Sequence, residues 1–254
     1  MKTKKYKRWF ELLMAMTLKE LRARYKMAIF GFLWMFLNPV LQMLVMGFIF
    51  QFFVPIEMDN YFEFIFPGLL AWNFFAYTVS KNTPMYVNER ALIQKAKFPR
   101  EVVVLAVVLS NLFHFFVALV LFVVWLALIR GEIYWQLWWV MIMAVIWLTM
   151  LTSGLSLLLS SLNVRWRDIN FGVQALLPLW FYATPIVYSL EWLPMWLTDW
   201  LKINPMTGVV ELLRLSVGLE SGGFYWQGLL VTIFILTLGI VVFKRESLFF
   251  DDWI

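Results

Sequence analysis

The chain of 254 residues contains no cysteine. Disulfides, thiolate nucleophiles and cysteine-ligated metals are therefore excluded, and the compartment stays open on that count. Charge is scarce as well: 15% of residues are Asp, Glu, Lys or Arg, against roughly 25% in a soluble domain. No glycine is followed by lysine, so the GxxxxGK[ST] loop that cradles nucleotide phosphates is absent. HExxH and GxSxG are absent too. By these routes the chain has no ATP hydrolysis, no zinc chemistry and no serine-type acyl transfer of its own.

What is abundant is apolar surface. Hydrophobic residues make up 63%, and a soluble fold of this length could not bury so much. A bilayer supplies the missing apolar solvent, and a spanning helix needs about 20 mostly apolar residues. Six segments meet that description: 30–54, 62–83, 102–128, 135–162, 169–188 and 224–243. The fold class expected is all-α integral membrane. Residues 1–29 hold nine Lys or Arg and no apolar run ending in a small-residue cleavage site, so they do not read as a cleavable signal peptide.

Lys and Arg partition sharply between the two sides of this arrangement. Eighteen of the 21 fall in 1–29, 81–100, at Arg165 and Arg167, and at Lys244 and Arg245. Only Arg130, Lys202 and Arg214 fall on the other side. Such asymmetry places the basic loops in the cytoplasm, with both termini there. The net charge of +5 is thereby a topology signal, and nucleic-acid binding is not expected. Segment 205–219 is apolar but interrupted by Glu211 and Arg214, and at 1.5 Å per residue it reaches only about 22 Å. Region 189–223 is therefore read as external, with two short helices at or dipping into the interface. Trp192, Trp196 and Trp200 recur there at helical spacing.

The N-terminal segment 1–29 is amphipathic. Phe10, Met14, Leu18, Leu21 and Tyr25 share one helical stripe, and Arg8, Lys19, Arg22 and Lys26 another. This fits a helix in the plane of the interface, held by apolar burial and anionic lipid. A generic membrane anchor and a docking surface for a partner share that pattern.

No carboxylate lies well inside a span; Glu63 and Lys81 are at edges, and His114 is the one ionisable residue near a centre. Ion-coupled transporters keep acidic groups at membrane depth, so a proton-driven pump is disfavoured. His114 reads as a relay or, more simply, as a neutral imidazole hydrogen-bonded to a neighbouring helix. Neutral polar and aromatic residues occupy the spans instead: Asn38, Gln42, Asn73, Thr78, Gln174 and Thr184, with Trp34, Trp72, Phe75, Tyr77, Phe181 and Tyr182. These suit ordinary helix packing, and equally a wide path for a hydroxyl-rich substrate. Pro39, Pro178 and Pro185 lie in spans one and five, where each removes a backbone donor and kinks a helix.

Several blocks together resemble the permease subunit of bacterial ABC transporters that export polysaccharides, the group handling O-antigen, capsule and teichoic-acid polymers. They are Arg22-Ala23-Arg24-Tyr25 with Gly31, Leu33-Trp34 and Pro39; Pro67-Gly68-Leu69 with Trp72 and Phe74-Phe75; and Asn88, Leu92-Ile93, Lys95 and Phe98-Pro99-Arg100-Glu101. Two more are Arg167-Asp168-Ile169 with Thr184-Pro185-Ile186 and Tyr188, and Asn204-Pro205-Met206. Thr184 stands where that family usually has serine. The resemblance covers nearly the whole chain and is nearest to O-antigen permeases.

The resemblance implies a homodimeric permease in the bacterial inner membrane, paired with two cytoplasmic ABC ATPase subunits that supply ATP and magnesium chemistry. The chain itself would bind no cofactor or metal and would not be an enzyme. It would export a lipid-linked polysaccharide from cytoplasm to periplasm. The loop 84–101 would couple to the ATPase through Asn88, Glu89, Arg90, Leu92, Ile93, Lys95, Phe98, Pro99, Arg100 and Glu101. The interface helix would contribute Arg8, Lys19, Arg22, Arg24, Tyr25 and Lys26. Trp34, Asn38, Gln42, Trp72, Phe75, Tyr77, Phe181, Tyr182, Thr184 and Tyr188 would line the channel, and 189–223 would form its gate. Two alternatives accompany this reading. One is a permease for a drug or lipid. The other is a membrane enzyme on lipid-linked sugars, using Glu191, Asp199 and Glu211.

Overall fold

A computed structural model describes residues 2–25, 33–53, 61–90, 98–131, 134–219 and 222–250. All regular structure among the described residues is helical. In chain order the helices are α1 (Lys2–Tyr25), α2 (Leu33–Phe53), α3 (Tyr61–Asn82), α4 (Met85–Asn88) and α5 (Glu101–Arg130). There follow α6 (Trp138–Arg165), α7 (Asp168–Tyr182), α8 (Met195–Ile203), α9 (Pro205–Ser216) and α10 (Trp226–Glu246).

Four of these are long and apolar enough to cross a membrane by length and composition: α3, α5, α6 with its leading turn, and α10. Apolar side chains stand exposed along them, among them Phe116, Ile142, Ile146, Phe234 and Val241. Backbone polarity at membrane depth must be satisfied within each helix, which is why these described segments are helical throughout. The chain is an all-α, multi-pass membrane protein.

Among the described residues four helices meet that standard of length and apolarity, where six spans were expected. The apolar stretch of α2 within the described residues is Leu37–Ile49. The fifth segment, expected as a helix over 169–188, ends at Tyr182. Its 15 residues rise about 22 Å, short of a hydrocarbon core of about 30 Å. Thr184-Pro185 explains the stop, because proline disfavours the helical conformation at the residue before it. Pro185 therefore kinks no helix. It sits in a buried turn, and Pro39 and Pro178 are the prolines inside α2 and α7.

The core is built where α3 meets α5, α6 and α9. Phe66, Leu69, Phe75, Phe122, Leu148, Leu151 and Val210 are all enclosed there. Glycine permits the closest approaches. The indole of Trp147 lies against Gly208 of α9, and the backbones of α6 and α10 meet at Gly154 and Gly239. Small residues at such crossings bring helices together when lipid offers no hydrophobic drive.

The bundle has two chemically distinct ends. At one, α1 lies against the first turns of α5: Leu13, Val102 and Ala106 pack together with Trp9, Leu12 and Leu105. At the other, Arg130 in the last turn of α5 forms a salt bridge with Glu63 in the first turn of α3. Gly131 at φ 72 ends α5 there, its N–H returning to the Ala127 carbonyl.

Candidate functional site

The basic end gathers residues from four parts of the chain. The Trp9 indole donates to the Glu101 carboxylate at 3.2 Å. Lys81 meets Glu20 at 2.6 Å, and Lys19 approaches Glu89 at 3.9 Å. The helix α1 thus has three faces. Trp9, Leu13 and Met16 pack on the bundle. Tyr6, Phe10, Met14 and Leu18 form an apolar row that is exposed, as befits contact with lipid. Arg8, Lys19 and Arg22 are exposed on the third face. The bundle-facing row was missed in the sequence because the stronger apolar row, Phe10 to Leu18, is the one turned outward. Arg24 and Tyr25 end α1; Lys26 lies outside the described residues.

The flanks of the loop 84–101 are anchored on both sides. Asn88 and Arg90 are exposed and Glu89 half-buried. Leu92, Ile93 and Lys95 lie outside the described residues. Beyond them Phe98 packs onto a cluster of Met85, Tyr86, Val103, Val104, Phe243 and Phe250, while Pro99 is exposed. Tyr86 is fully enclosed and donates its hydroxyl to the Arg100 carbonyl at 2.7 Å. Burial, reinforced by the Glu101 carboxylate and opposed by Arg100, holds its phenol far above the usual range, so it stays a donor. Arg100 donates through Nη1 to the Ser247 carbonyl at 2.9 Å and lies 5.4 Å from the Phe250 ring centre. The Phe250 ring in turn packs at 4.7 Å from Tyr86 and 6.0 Å from Phe243. The sequence signal for this contact was an apolar pair, Phe249-Phe250, just past the basic end of α10.

At the opposite end α8 and α9 differ completely. α8 exposes Met195, Trp196 and Trp200, and α9 is buried along nearly its whole length. Asn204 makes the turn between them. Its side-chain oxygen accepts from the Met206 N–H and the Trp180 indole, both at 3.0 Å, capping α9 with Pro205 in the first position. Its amide donates to the Ala183 carbonyl at 2.9 Å and the Thr184 hydroxyl at 3.0 Å. The Thr184-Pro185 and Asn204-Pro205 motifs therefore form one hydrogen-bonded junction. Below it, fully buried Arg214 donates to the carbonyls of Phe64 at 3.1 Å and Ile186 at 2.8 Å and to Glu211 at 2.7 Å. The second Glu211 oxygen accepts from the Gly222 N–H. With both its oxygens engaged, Glu211 is a structural ion pair. Asp199 pairs with Lys202. No free acid–base pair is assembled from these carboxylates.

The channel-lining candidates differ in exposure. Trp72, Phe75 and Thr184 are buried inside the chain, Trp72 against Phe75 and Phe181, and Phe75 edge-on to Trp180. Asn38, Gln42, Tyr77 and Tyr182 are exposed, and Gln42 accepts from the Asn73 amide at 2.9 Å. Phe181 and Tyr188 are half-buried, with the Tyr188 hydroxyl donating to the Tyr182 carbonyl at 3.0 Å. Trp34 lies in the first turn of α2. His114 is buried on α5 beside Phe113.

An all-α bundle with four helices long and apolar enough to span, a pinned basic end and a short buried helix, α9, is the fold of a multi-pass membrane protein. The chain belongs to the ABC-2 type transporter family, which matches residues 11–218. It is similar to an O-antigen export system permease protein RfbA of Klebsiella pneumoniae, 31% identical over 240 residues, covering 93% of this chain and 92% of the relative. It is also similar to an O-antigen export system permease protein RfbA of Myxococcus xanthus, 37% identical over 182 residues, covering 71% of this chain and 69% of that one.

Proposed function

We propose that this chain is the membrane subunit of an ATP-driven exporter of a lipid-linked, O-antigen-like polysaccharide. Two copies pair in the bacterial inner membrane with two cytoplasmic ATPase subunits, which bind ATP and magnesium. Both termini lie in the cytoplasm, as the crowding of Lys and Arg at one end supports. The names of the relatives support the substrate class.

The observation that carries the coupling reading is the anchoring of loop 84–101. Its C-terminal flank is fixed to α1 through Trp9–Glu101 and to the end of α10 through Arg100–Ser247, and its N-terminal flank is held by the enclosed Tyr86. A segment pushed by a motor transmits displacement only when it is held by the body it must move. The exposed apolar residues of α2 and α7, Leu44, Phe48, Phe171 and Leu179 among them, offer faces for a second copy. Asn38, Gln42, Tyr77 and Tyr182 supply amides and aromatic faces to a sugar polymer passing beside them. ATP binding and hydrolysis in the partner shift the population of open and closed gate states. Export of polymer is measured in cells with and without the partner ATPase gene. Loss of export on deletion is expected, and undiminished export overturns the proposal.

A further inference from the structure

We infer that the C-terminal turn, with Phe250 as its anchor and Arg100 as its clasp, is a coupling element that makes the ATPase-facing loop and helices α10 and α6 move as one body. This rests on the proposed role of the 84–101 loop and identifies Arg100 and Phe250 as positioning residues within it.

Arg100 belongs to the most distinctive block of the loop, Phe98-Pro99-Arg100-Glu101. A basic residue there would ordinarily be assigned to the surface of a motor protein. Its guanidinium is instead spent inward, on the carbonyl of Ser247, 147 residues away, and on the face of Phe250. A planar guanidinium suits both contacts at once, donating in its plane while stacking on a ring. The backbone of the same residue is held independently, since its carbonyl accepts from Tyr86. Tyr86 and Phe250 are both fully enclosed and in ring contact. The loop therefore closes on itself through Tyr86 and closes on the C-terminal turn through Arg100.

The turn also has a stiff continuation. Phe243 belongs to both α10 and the aromatic cluster. One turn earlier, Gly239 lies directly against Gly154 of α6 with no side chain between the backbones. Displacement of the loop thus passes to α10 through two rings and a guanidinium, and to α6 through backbone contact. Packed interiors shift between discrete arrangements and do not deform continuously, which is what makes such a chain of contacts a lever.

The test uses the assembled permease–ATPase complex in vesicles and measures polymer exported per ATP hydrolysed. Wild-type complex whose export ignores ATP would overturn the proposed function itself and is distinguished at the outset. In Phe250→Ala, the complex should still copurify and hydrolyse ATP, while export per ATP falls about tenfold, the scale of a lost coupling contact. Arg100→Gln should do the same, and Phe250→Leu, which keeps bulk but no ring, should lie between. An unchanged export-to-ATP ratio in Phe250→Ala overturns the inference. Should that variant fail to assemble, a second measurement decides. The chain has no cysteine, so Pro99→Cys with Leu248→Cys in one copy, assembled with an unsubstituted copy and a cysteine-free ATPase, gives a complex with one pair of spin labels. The label separation should stay the same with and without trapped nucleotide. A change in that separation means that the loop and the turn part company, and the inference fails.

Discussion

Asn204 and Thr184, twenty residues apart in sequence, are joined by a 3.0 Å hydrogen bond from the Asn204 amide to the Thr184 hydroxyl. The Thr184 hydroxyl in turn donates a hydrogen bond to the Trp180 carbonyl at 2.9 Å. One amide side chain thereby caps α9, ends the run of α7 and receives the Trp180 indole. The side-chain oxygen of Asn204 accepts two hydrogen bonds and its amide donates two, in a half-buried place.

Replacing Asn204 by Ala should lower stability by about 2–3 kcal/mol, because partly buried donors and acceptors lose their partner. Asn204→Asp keeps the cap and the indole contact but loses both donated bonds, so it should fall between. Thermal unfolding of the purified permease checks the order. Equal melting temperatures for all three proteins would remove the junction's structural role.

Arg214 and Glu211 form a buried pair, and truncating one partner strands the other charge. Arg214→Ala or Glu211→Ala should each cost about 3–5 kcal/mol, whereas replacing both by apolar residues of similar volume should cost less than the sum. A double-mutant cycle on unfolding reads this directly. The same set separates transport from catalysis: Glu191→Gln with Asp199→Asn, both outside the buried pair, should leave export intact.

Gly154 and Gly239 meet backbone to backbone, so a side chain at either forces α6 and α10 apart. Gly239→Val should abolish accumulation of folded protein in the membrane. Gly172, with open space around its Cα, should accept Ala with little change. Membrane levels by immunoblot distinguish the two.

Lys81 and Glu20 tie α1 to the end of α3 at 2.6 Å. The pair is only partly buried, so Lys81→Ala should cost about 1 kcal/mol or less in stability. A charge swap, Lys81→Glu with Glu20→Lys, should restore what either single reversal loses in export. Failure of the swap would mean that the two act separately.

A reporter enzyme active only outside the cytoplasm should be silent when fused after Ile254 and active when inserted after Gly131, the exposed end of α5. The reverse result would invert the protein in the membrane and remove loop 84–101 from the ATPase's reach.

Composition, hydropathy and the distribution of Lys and Arg determined by themselves that this is an all-α membrane protein with one basic end. Those are sums over many residues, and the bilayer reads them without regard to tertiary detail. The motifs around Phe98–Glu101, Thr184–Tyr188 and Asn204–Met206 were likewise legible, because each is local. What they touch was not. That Arg100 reaches Ser247, that Asn204 clasps Thr184, and that α1 turns Leu13 inward while Phe10 faces out depends on helices distant in sequence. The length of α7 was also decided there. An apolar stretch reads as a span by hydropathy alone, but Pro185 and the satisfied junction behind it stop the helix at Tyr182. Local sequence sets which surfaces are apolar; only packing decides which of two apolar faces meets the protein and which meets the lipid.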